Sequence, residues 1–368
     1  MNYRKPSRIQ GMVLPLVLSE RRPNLVAQSQ SGTGKSAAFI IAMLNKIDPA
    51  VDSCQALCVS PTRELATQLY EVACSLSKFM EHINIGLAVP GSRLDAQNRI
   101  ITNKIVFATP GKLMYYFTNS TTVFDVEKIH TIVFDEADIM CLMEDFGATT
   151  LELKRHLRED IQTLLFSATY DDEIDRSMNS IVKDPIFIRV KKNELSLKTI
   201  SQYVIRVYSP QEKYEWIVEI YKSITIGQAI IFCRTKAMAS YLRDQMTSSG
   251  HHVGMLTADL THEERLEAIT SFREGRERVL ISTNLCSRGL DIPQVNLVVN
   301  WDMPSTYNFE PDCETYLHRI GRSGRFGKKG IAINFMTERE SYILDAIEKE
   351  FDIKIPELNL EELAALDN

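Results

Sequence analysis

Apolar residues fall along this chain in short dense runs, separated by stretches that carry apolar positions at helical spacing. A first series comprises Asn24–Ala27, Ala56–Ser60, Ile83–Val89, Lys104–Ala108, Thr131–Phe134, Thr163–Phe166 and Ile186–Val190. A second comprises Gln228–Cys233, His252–Leu256, Arg278–Ser282, Asn296–Asn300 and Ile331–Phe335. Runs without polar alternation suit strands buried on both faces, which belong to parallel sheets with helical crossovers. The pattern predicts an α/β chain with two parallel sheets, each covered by helices on both faces. Between the series, Lys191–Lys198 has three Lys and no periodicity, which predicts an interdomain linker. The expected domains are residues 1–190 and 199–368, joined by 191–198. Thr261 with Glu264, and Thr337 with Glu340, each fit a capping box at a helix start. Glu357–Asn368 is acidic with Leu at helical spacing, which predicts a short packed helix.

Two domains also suit the length of 368 residues, since single cores stop growing near about 250–300 residues. Hydrophobic residues make up 44% and charged residues 24%, as in soluble globular proteins. The formal net charge is −6 with a sequence pI near 5.8, so no global positive field marks a nucleic-acid binder. Any such site must be a local cluster. The seven Cys are scattered without a CxxC pair or a ligand-spaced His, which argues against zinc. Unpaired Cys58, Cys141 and Cys233 fit a reducing compartment. The polar, basic start has no apolar run of signal or membrane length, so an intracellular protein is expected.

Candidate chemistry gathers at two places. Ile132-Val-Phe-Asp-Glu-Ala-Asp138 brings two carboxylates to the carboxyl end of a buried strand, where ligands bind in open α/β sheets. Asp135 there can hold Mg²⁺, and Glu136 can orient and deprotonate an attacking water. About 100 residues upstream, Ala27-Gln-Ser-Gln-Ser-Gly-Thr-Gly-Lys-Ser36 follows a strand and opens a helix. Ser31, Gly32, Thr33 and Gly34 would turn backbone N–H groups onto phosphate oxygens in front of a helix N-terminus. Lys35 would reach the β- and γ-phosphates, and the Ser36 hydroxyl would join Asp135 on Mg²⁺. Ser29 stands where the general phosphate-loop pattern has Gly. Together the two motifs predict a nucleotide-hydrolysing site.

With further motifs in order, the chain resembles the DEAD-box RNA helicases over nearly its whole length. Pro6-Ser-Arg-Ile-Gln10 resembles the family's Q motif; the resemblance implies that Gln10 contacts adenine and that Tyr3 or Lys5 stacks on the ring. Pro61-Thr-Arg-Glu64 and Thr109-Pro-Gly111 resemble segments that grip the RNA backbone, implying contacts from Pro61, Thr62, Arg63, Thr109 and Gly111. Ser167-Ala-Thr169 resembles the segment that couples hydrolysis to domain closure; Asp138, Ser167, Thr169 and His318 are implied to link the halves. Ser282-Thr-Asn-Leu-Cys-Ser-Arg-Gly-Leu-Asp291 resembles motif V, implying Asp291 on the ATP ribose with Thr283 and Arg288 on RNA. His318-Arg-Ile-Gly-Arg-Ser-Gly-Arg325 resembles motif VI, whose Arg322 and Arg325 would address the γ-phosphate. Arginines so placed accelerate phosphoryl transfer by roughly 10³ to 10⁵. Arg265 stands where the family has another RNA-contacting Arg; a solvated helix face is the other reading. The implied fold is two RecA-like domains that close on ATP and single-stranded RNA. Hydroxyls, backbone N–H groups and Arg side chains hold phosphate and sugar without reading sequence, and contacts to 2′-hydroxyls favour RNA.

Some positions depart from the family pattern. Pro90-Gly91 replaces a Gly-Gly pair, and Lys112 replaces the Arg after Thr-Pro-Gly, which keeps charge but loses the guanidinium fork. Only nine residues precede Gln10, too few for the isolated aromatic that the family places farther upstream of the Q motif, so weaker adenine binding or a truncated chain is expected. Ile224-Thr-Ile-Gly-Gln-Ala-Ile-Ile-Phe-Cys233, Glu314-Thr-Tyr-Leu-His-Arg319, Phe351-Asp-Ile-Lys-Ile355 and the insertion Asn308-Phe-Glu-Pro-Asp312 resemble the mRNA-export subfamily at the nuclear pore. That subfamily shares Ser29. Autoinhibition by that subfamily's N-terminal extension is not expected here. The resemblance implies a monomer in cytoplasm and nucleus, partnered by a cytoplasmic nucleoporin and an export-factor activator with inositol hexakisphosphate. A translation-initiation helicase, an RNA clamp with little turnover, and a DNA translocase are the competing readings.

Overall fold

The computed structural model describes all residues except 1–4, 29–32, 143, 168–176, 179–180, 190–199, 284–294, 307, 325–328 and 366–368. The chain divides into two compact units, Met1–Val190 and Lys191–Asn368. The expected linker lies in residues outside the description. Among the described residues no helix is long and apolar enough to cross a membrane.

The first unit is built on a seven-stranded parallel sheet ordered β3-β6-β2-β7-β8-β1-β9. Its strands are β1 (Leu25–Gln28), β2 (Ala56–Val59), β3 (Ile85–Ala88), β6 (Ile105–Ala108), β7 (Thr131–Asp135), β8 (Gln162–Ser167) and β9 (Ile186–Ile188). Alternate residues of each run pack into different cores, the consequence of a period-two strand covered on both sides. Ile132 and Phe134 join Leu57, Val59, Leu113, Met140 and Leu153, so that α4 (Pro110–Thr118), α5 (Ala137–Leu142) and α6 (Glu144–Arg155) cover one face. Val133, between them, joins Cys58, Phe39, Ile40, Val13 and Leu69, so that α1 (Arg8–Val17), α2 (Lys35–Asn45) and α3 (Arg63–Leu76) cover the other.

A two-stranded antiparallel ribbon, β4 (Ala96–Gln97) with β5 (Ile100–Ile101), was not expected from the apolar pattern. Its turn places Asn98 and Arg99 at φ 50° and 69°, the left-handed pair that a two-residue hairpin uses.

The second unit has a six-stranded parallel sheet, order β10-β15-β14-β11-β13-β12. The strands are β10 (Ile200–Arg206), β11 (Gln228–Cys233), β12 (Val253–Leu256), β13 (Val279–Thr283), β14 (Val295–Asn300) and β15 (Gly330–Met336). β10 is the strand that the apolar pattern misses. It is an edge strand whose polar Ser201 and Gln202 interrupt the run, so no dense block announces it. The tail covers this edge: Val204 donates to Pro356 O at 3.0 Å and Leu358 donates to Val204 O at 2.8 Å. A short helix, Leu360–Ala365, follows and buries Leu363 in the same core as Leu358. Capping boxes form at both expected places. Thr261–Glu264 opens His262–Arg273, and Thr337–Glu340 opens a 3-10 turn before Ser341–Phe351.

Phe134 is fully buried beside the strand end that carries Asp135. Phe134→Ala should cost the first unit about 3 to 5 kcal/mol through lost burial and a residual cavity. A urea titration followed by a probe in that unit measures this, and an unshifted midpoint would contradict the packing.

Candidate nucleotide and RNA site

The strands of the first sheet end level, and this sets out the site. Gln28 pairs with Ser167, Phe134 with Leu165 and Asp135 with Phe166, so the loops after β1, β8 and β7 leave the edge side by side. On the other half, Val59 and Ala88 both pair with Ala108, so the loops after β2, β3 and β6 also start together. The first group carries the nucleotide motifs, and the second carries Pro61–Arg63, Pro90–Gly91 and Thr109–Gly111.

Lys35 opens α2 after Gly34, and its ammonium lies 3.3 Å from Glu136 Oε1 and 3.4 Å from Asp135 Oδ1. All three side chains are buried. Burial alone would pull the Lys35 pKa down, but Asp135, Glu136 and Asp138 together raise it above the ordinary lysine value. Burial pushes Asp135 up to about 6, with Lys35 opposing and Glu136 adding to the rise. Glu136 sits at φ 53°, a left-handed conformation that costs a non-glycine residue roughly 1–2 kcal/mol. It turns the chain from β7 into α5 with consecutive carboxylates held at the strand end. One ammonium thus faces three carboxylates, and the buried Asp135 Oδ1 has the Lys35 ammonium at 3.4 Å as its ion-pair partner. An acidic, oxygen-only excess of this kind fits a divalent cation such as Mg²⁺. Ser36, half-buried in the first turn of α2, is the hydroxyl beside it in sequence.

Gln10 docks on the same loop. Its Nε2 donates to Gly34 O at 3.0 Å, while its Oε1 accepts from Ser7 N at 2.9 Å. Ser7 and Gln10 form a capping box on α1, a Ser-x-x-Gln signal readable in the sequence but not weighed there. Gly34 has φ 93°, and a Cβ at that position would lie 2.6 Å from Gln10 Nε2. Lys5 is exposed. Tyr3, Ser31, Gly32 and Thr169 fall outside the described residues, while Thr33 lies in the bend that enters α2. Asp138 is buried in the first turn of α5, and Ser167 is buried at the end of β8.

On the other half of the edge, Thr62 caps α3 by accepting from Leu65 N at 3.2 Å, so its hydroxyl already has a structural task. Arg63 opens that helix, and its Nη2 is 3.9 Å from where a Cβ on Gly91 would stand. Thr109 is the N-cap of α4 but makes no side-chain cap bond; Pro110 takes the first turn and Gly111 is exposed. Free helix-start N–H groups are a ready anion site. Lys112 stands over the Tyr115 ring at 4.7 Å, so the departure from Arg leaves its charge beside that start.

In the second unit, Thr283 ends β13, and Arg265 donates from Nη2 to Ala258 O at 3.2 Å. Arg288, Asp291 and Arg325 lie outside the described residues. Arg322 Nε donates to His318 O at 3.0 Å, and His318 Nε2 is 3.6 Å from Glu314 Oε1.

Arg319, unassigned from sequence, holds this segment. On Cys313–Ile320, its Nη1 donates to Asn300 Oδ1 at 2.7 Å and to Asp302 O at 2.8 Å, with the guanidinium 5.2 Å from the Phe232 ring. Burial lowers its pKa to about 10, with Asp302 opposing. Asn300 donates on to Asn334 at 2.7 Å, and Asn334 to Tyr203 O at 2.8 Å. The only sequence signal was a polar residue at the end of one strand run and, in Asn334, inside another.

The DEAD/DEAH box helicase pattern matches residues 7–177, and the helicase conserved C-terminal domain matches residues 212–327. The ATP-dependent RNA helicase DDX19A of Bos taurus is 41% identical over 368 residues, covering 100% of this chain and 77% of that protein. The chain belongs to the DEAD-box family of ATP-dependent RNA helicases. Its two sheets are those of the family's RecA-like domains. S. cerevisiae Dbp5 bound to RNA and ADP BeF3 superposes with a TM-score of 0.91 at 40% identity, covering 99% of this chain and 93% of that one. A Dbp5 variant bound to Nup159, Gle1, IP6 and ADP gives 0.71 at 38% identity, covering 99% and 94%.

Gly34→Ala in this helicase should cost roughly 1–2 kcal/mol for the left-handed backbone. Its Cβ should also displace Gln10 and weaken nucleotide binding. A fluorescent-nucleotide titration beside a thermal melt separates the two effects; unchanged affinity would remove the Gln10–Gly34 contact from the nucleotide site.

Proposed function

We propose that this DEAD-box helicase is an RNA-stimulated ATPase that clamps single-stranded RNA and remodels short duplexes or RNA–protein complexes during mRNA export. The observation that carries the reading is the first sheet's carboxyl edge, where a buried Lys35–Asp135–Glu136 cluster lies next to the capped and uncapped helix starts at Thr62 and Thr109. Nucleotide and RNA chemistry therefore share one rigid strip of strand ends.

Lys35 is assigned to the β- and γ-phosphates, and Glu136 to orienting the attacking water and accepting its proton. Asp135 and Ser36 are the residues to hold Mg²⁺, which when bound neutralises phosphate charge. Gln10, tied to Gly34, reports adenine occupancy to the phosphate loop. Asp291 is assigned to the ribose, and Arg322 and Arg325 to charge on the transferring phosphoryl. Pro61, Thr62, Arg63, Thr109, Gly111, Thr283, Arg288 and Arg265 are assigned to the RNA backbone. Asp138, Ser167, Thr169 and His318 are assigned to coupling between domains. RNA bent to follow such a surface no longer fits a duplex.

Dbp5 was captured with RNA, and with Nup159, Gle1, IP6 and ADP. By that likeness the partners here are mRNA, a cytoplasmic nucleoporin, and an export-factor activator with inositol hexakisphosphate. The corresponding place of action is the nuclear pore, between nucleus and cytoplasm.

Steady-state ATP hydrolysis without nucleic acid, with single-stranded RNA and with matching DNA tests the reading. RNA alone should stimulate. Glu136→Gln should bind ATP normally and lose turnover by about 10² or more; equal stimulation by DNA, or normal turnover in the variant, would overturn the assignment.

A further inference from the structure

The helix Pro210–Ser223, which follows β10, turns Lys213, Ile217 and Ile220 into the core of the second unit. These positions form the buried stripe of an amphipathic helix, with an ammonium where an apolar side chain is the rule. Lys213 is 6% exposed, and a charge so placed is costly unless it is paired and hydrogen-bonded. Its partners are the residues that leave β14. Lys213 Nζ donates to Trp301 O, lies 3.4 Å from Asp302 Oδ1 and stands 5.7 Å from the centre of the Trp301 ring. Lys213 belongs to no motif that carries nucleotide or RNA residues.

Asp302 receives two further contacts. Its Oδ2 accepts from Arg234 N at 2.8 Å, at the turn from β11 into the helix Lys236–Ser248. Its backbone O accepts from Arg319 Nη1 at 2.8 Å, on the helix Cys313–Ile320. The end of β14 is thus held from three sides. Arg319 Nη1 also donates to Asn300 Oδ1 at 2.7 Å, so a displaced strand end displaces the guanidinium with it. Arg322 is tied to the same helix: its N–H donates to Arg319 O at 3.1 Å, and its Nε to His318 O at 3.0 Å.

We infer that Lys213 is a positioning residue for ATP hydrolysis, acting through Asp302 and Arg319 on the placement of Arg322. The inference rests on the reading in which Arg322 addresses charge on the transferring phosphoryl. Packed apolar groups often replace buried ionic contacts at no cost in stability, so what the ammonium adds is direction. A cation with fixed acceptors defines one placement of Trp301 and Asp302, and the hydrogen-bonded chain carries that placement to the helix.

The test measures RNA-stimulated ATP hydrolysis by the full chain in Lys213→Met, Asp302→Asn and the double variant. Asparagine keeps an acceptor for Arg234 N and removes the charge that faces Lys213. Loss of an interaction made only in the transition state lowers kcat and kcat/KM together. Lys213→Met is expected to lower kcat by roughly 10 to 10², with the KM for ATP and the affinity for a fluorescent nucleotide unchanged. Asp302→Asn should do the same. The double variant should be no slower than the slower single one, because both residues act along one path. If a thermal melt shows Lys213→Met unfolded under assay conditions, Asp302→Asn decides the outcome. Unchanged kcat in a folded single variant, a raised KM at unchanged kcat, or losses that multiply in the double variant would overturn the inference. Arg322→Gln with full turnover would instead overturn the reading on which it rests.

Discussion

The buried ammonium of Lys35 between Asp135 and Glu136 is the interaction on which the first unit's chemistry depends. It ties the start of α2 to the end of β7, elements about 100 residues apart in sequence. Removing one partner from a buried ion pair costs about 3–5 kcal/mol because the other charge is left uncompensated. The pairing is also incomplete. With Asp138 contributing, carboxylates outnumber the ammonium; burial, with Glu136 adding to it, raises the Asp135 pKa.

Around it, the sheet supplies position. Level endings of β1, β8 and β7 align the loops with the nucleotide motifs, and level endings of β2, β3 and β6 align those with Pro61–Arg63, Pro90–Gly91 and Thr109–Gly111. A shift of one residue in a central strand would turn its side chains to the wrong face and bury the wrong set. The alternation of Ile132, Val133 and Phe134 between two cores opposes that shift. In the second unit the same task falls to a polar network: Arg319, Asn300 and Asn334 fasten the helix of His318 to the ends of β14 and β15. Each donor in it has a directional partner, so it specifies one seating of the helix where apolar contact would allow several.

How much was legible depends on where the signal resides. Dense apolar runs revealed every strand buried on both faces, because burial on both sides removes the need for polar alternation. β10 and the β4–β5 ribbon escaped, since an edge strand and a surface hairpin need no such run. The phosphate loop and the Asp135–Glu136 pair were readable because their chemistry needs residue types at close spacing in one segment. Arg319 was present in a motif but without a role, for its partners Asn300 and Asp302 come from another strand end. Thr62 looked like an RNA contact, and the fold also uses it as a helix cap.

The sequence by itself determined the fold class, the two-part organisation, the nucleotide motifs and the family, because each is written in local pattern and spacing. Tertiary structure alone decided which charges share a site. It brought Gln10 onto Gly34 and set Lys35 against two carboxylates. The physical reason is that electrostatic and hydrogen-bond energies depend on distance and burial, and neither quantity exists until the strands have chosen their neighbours.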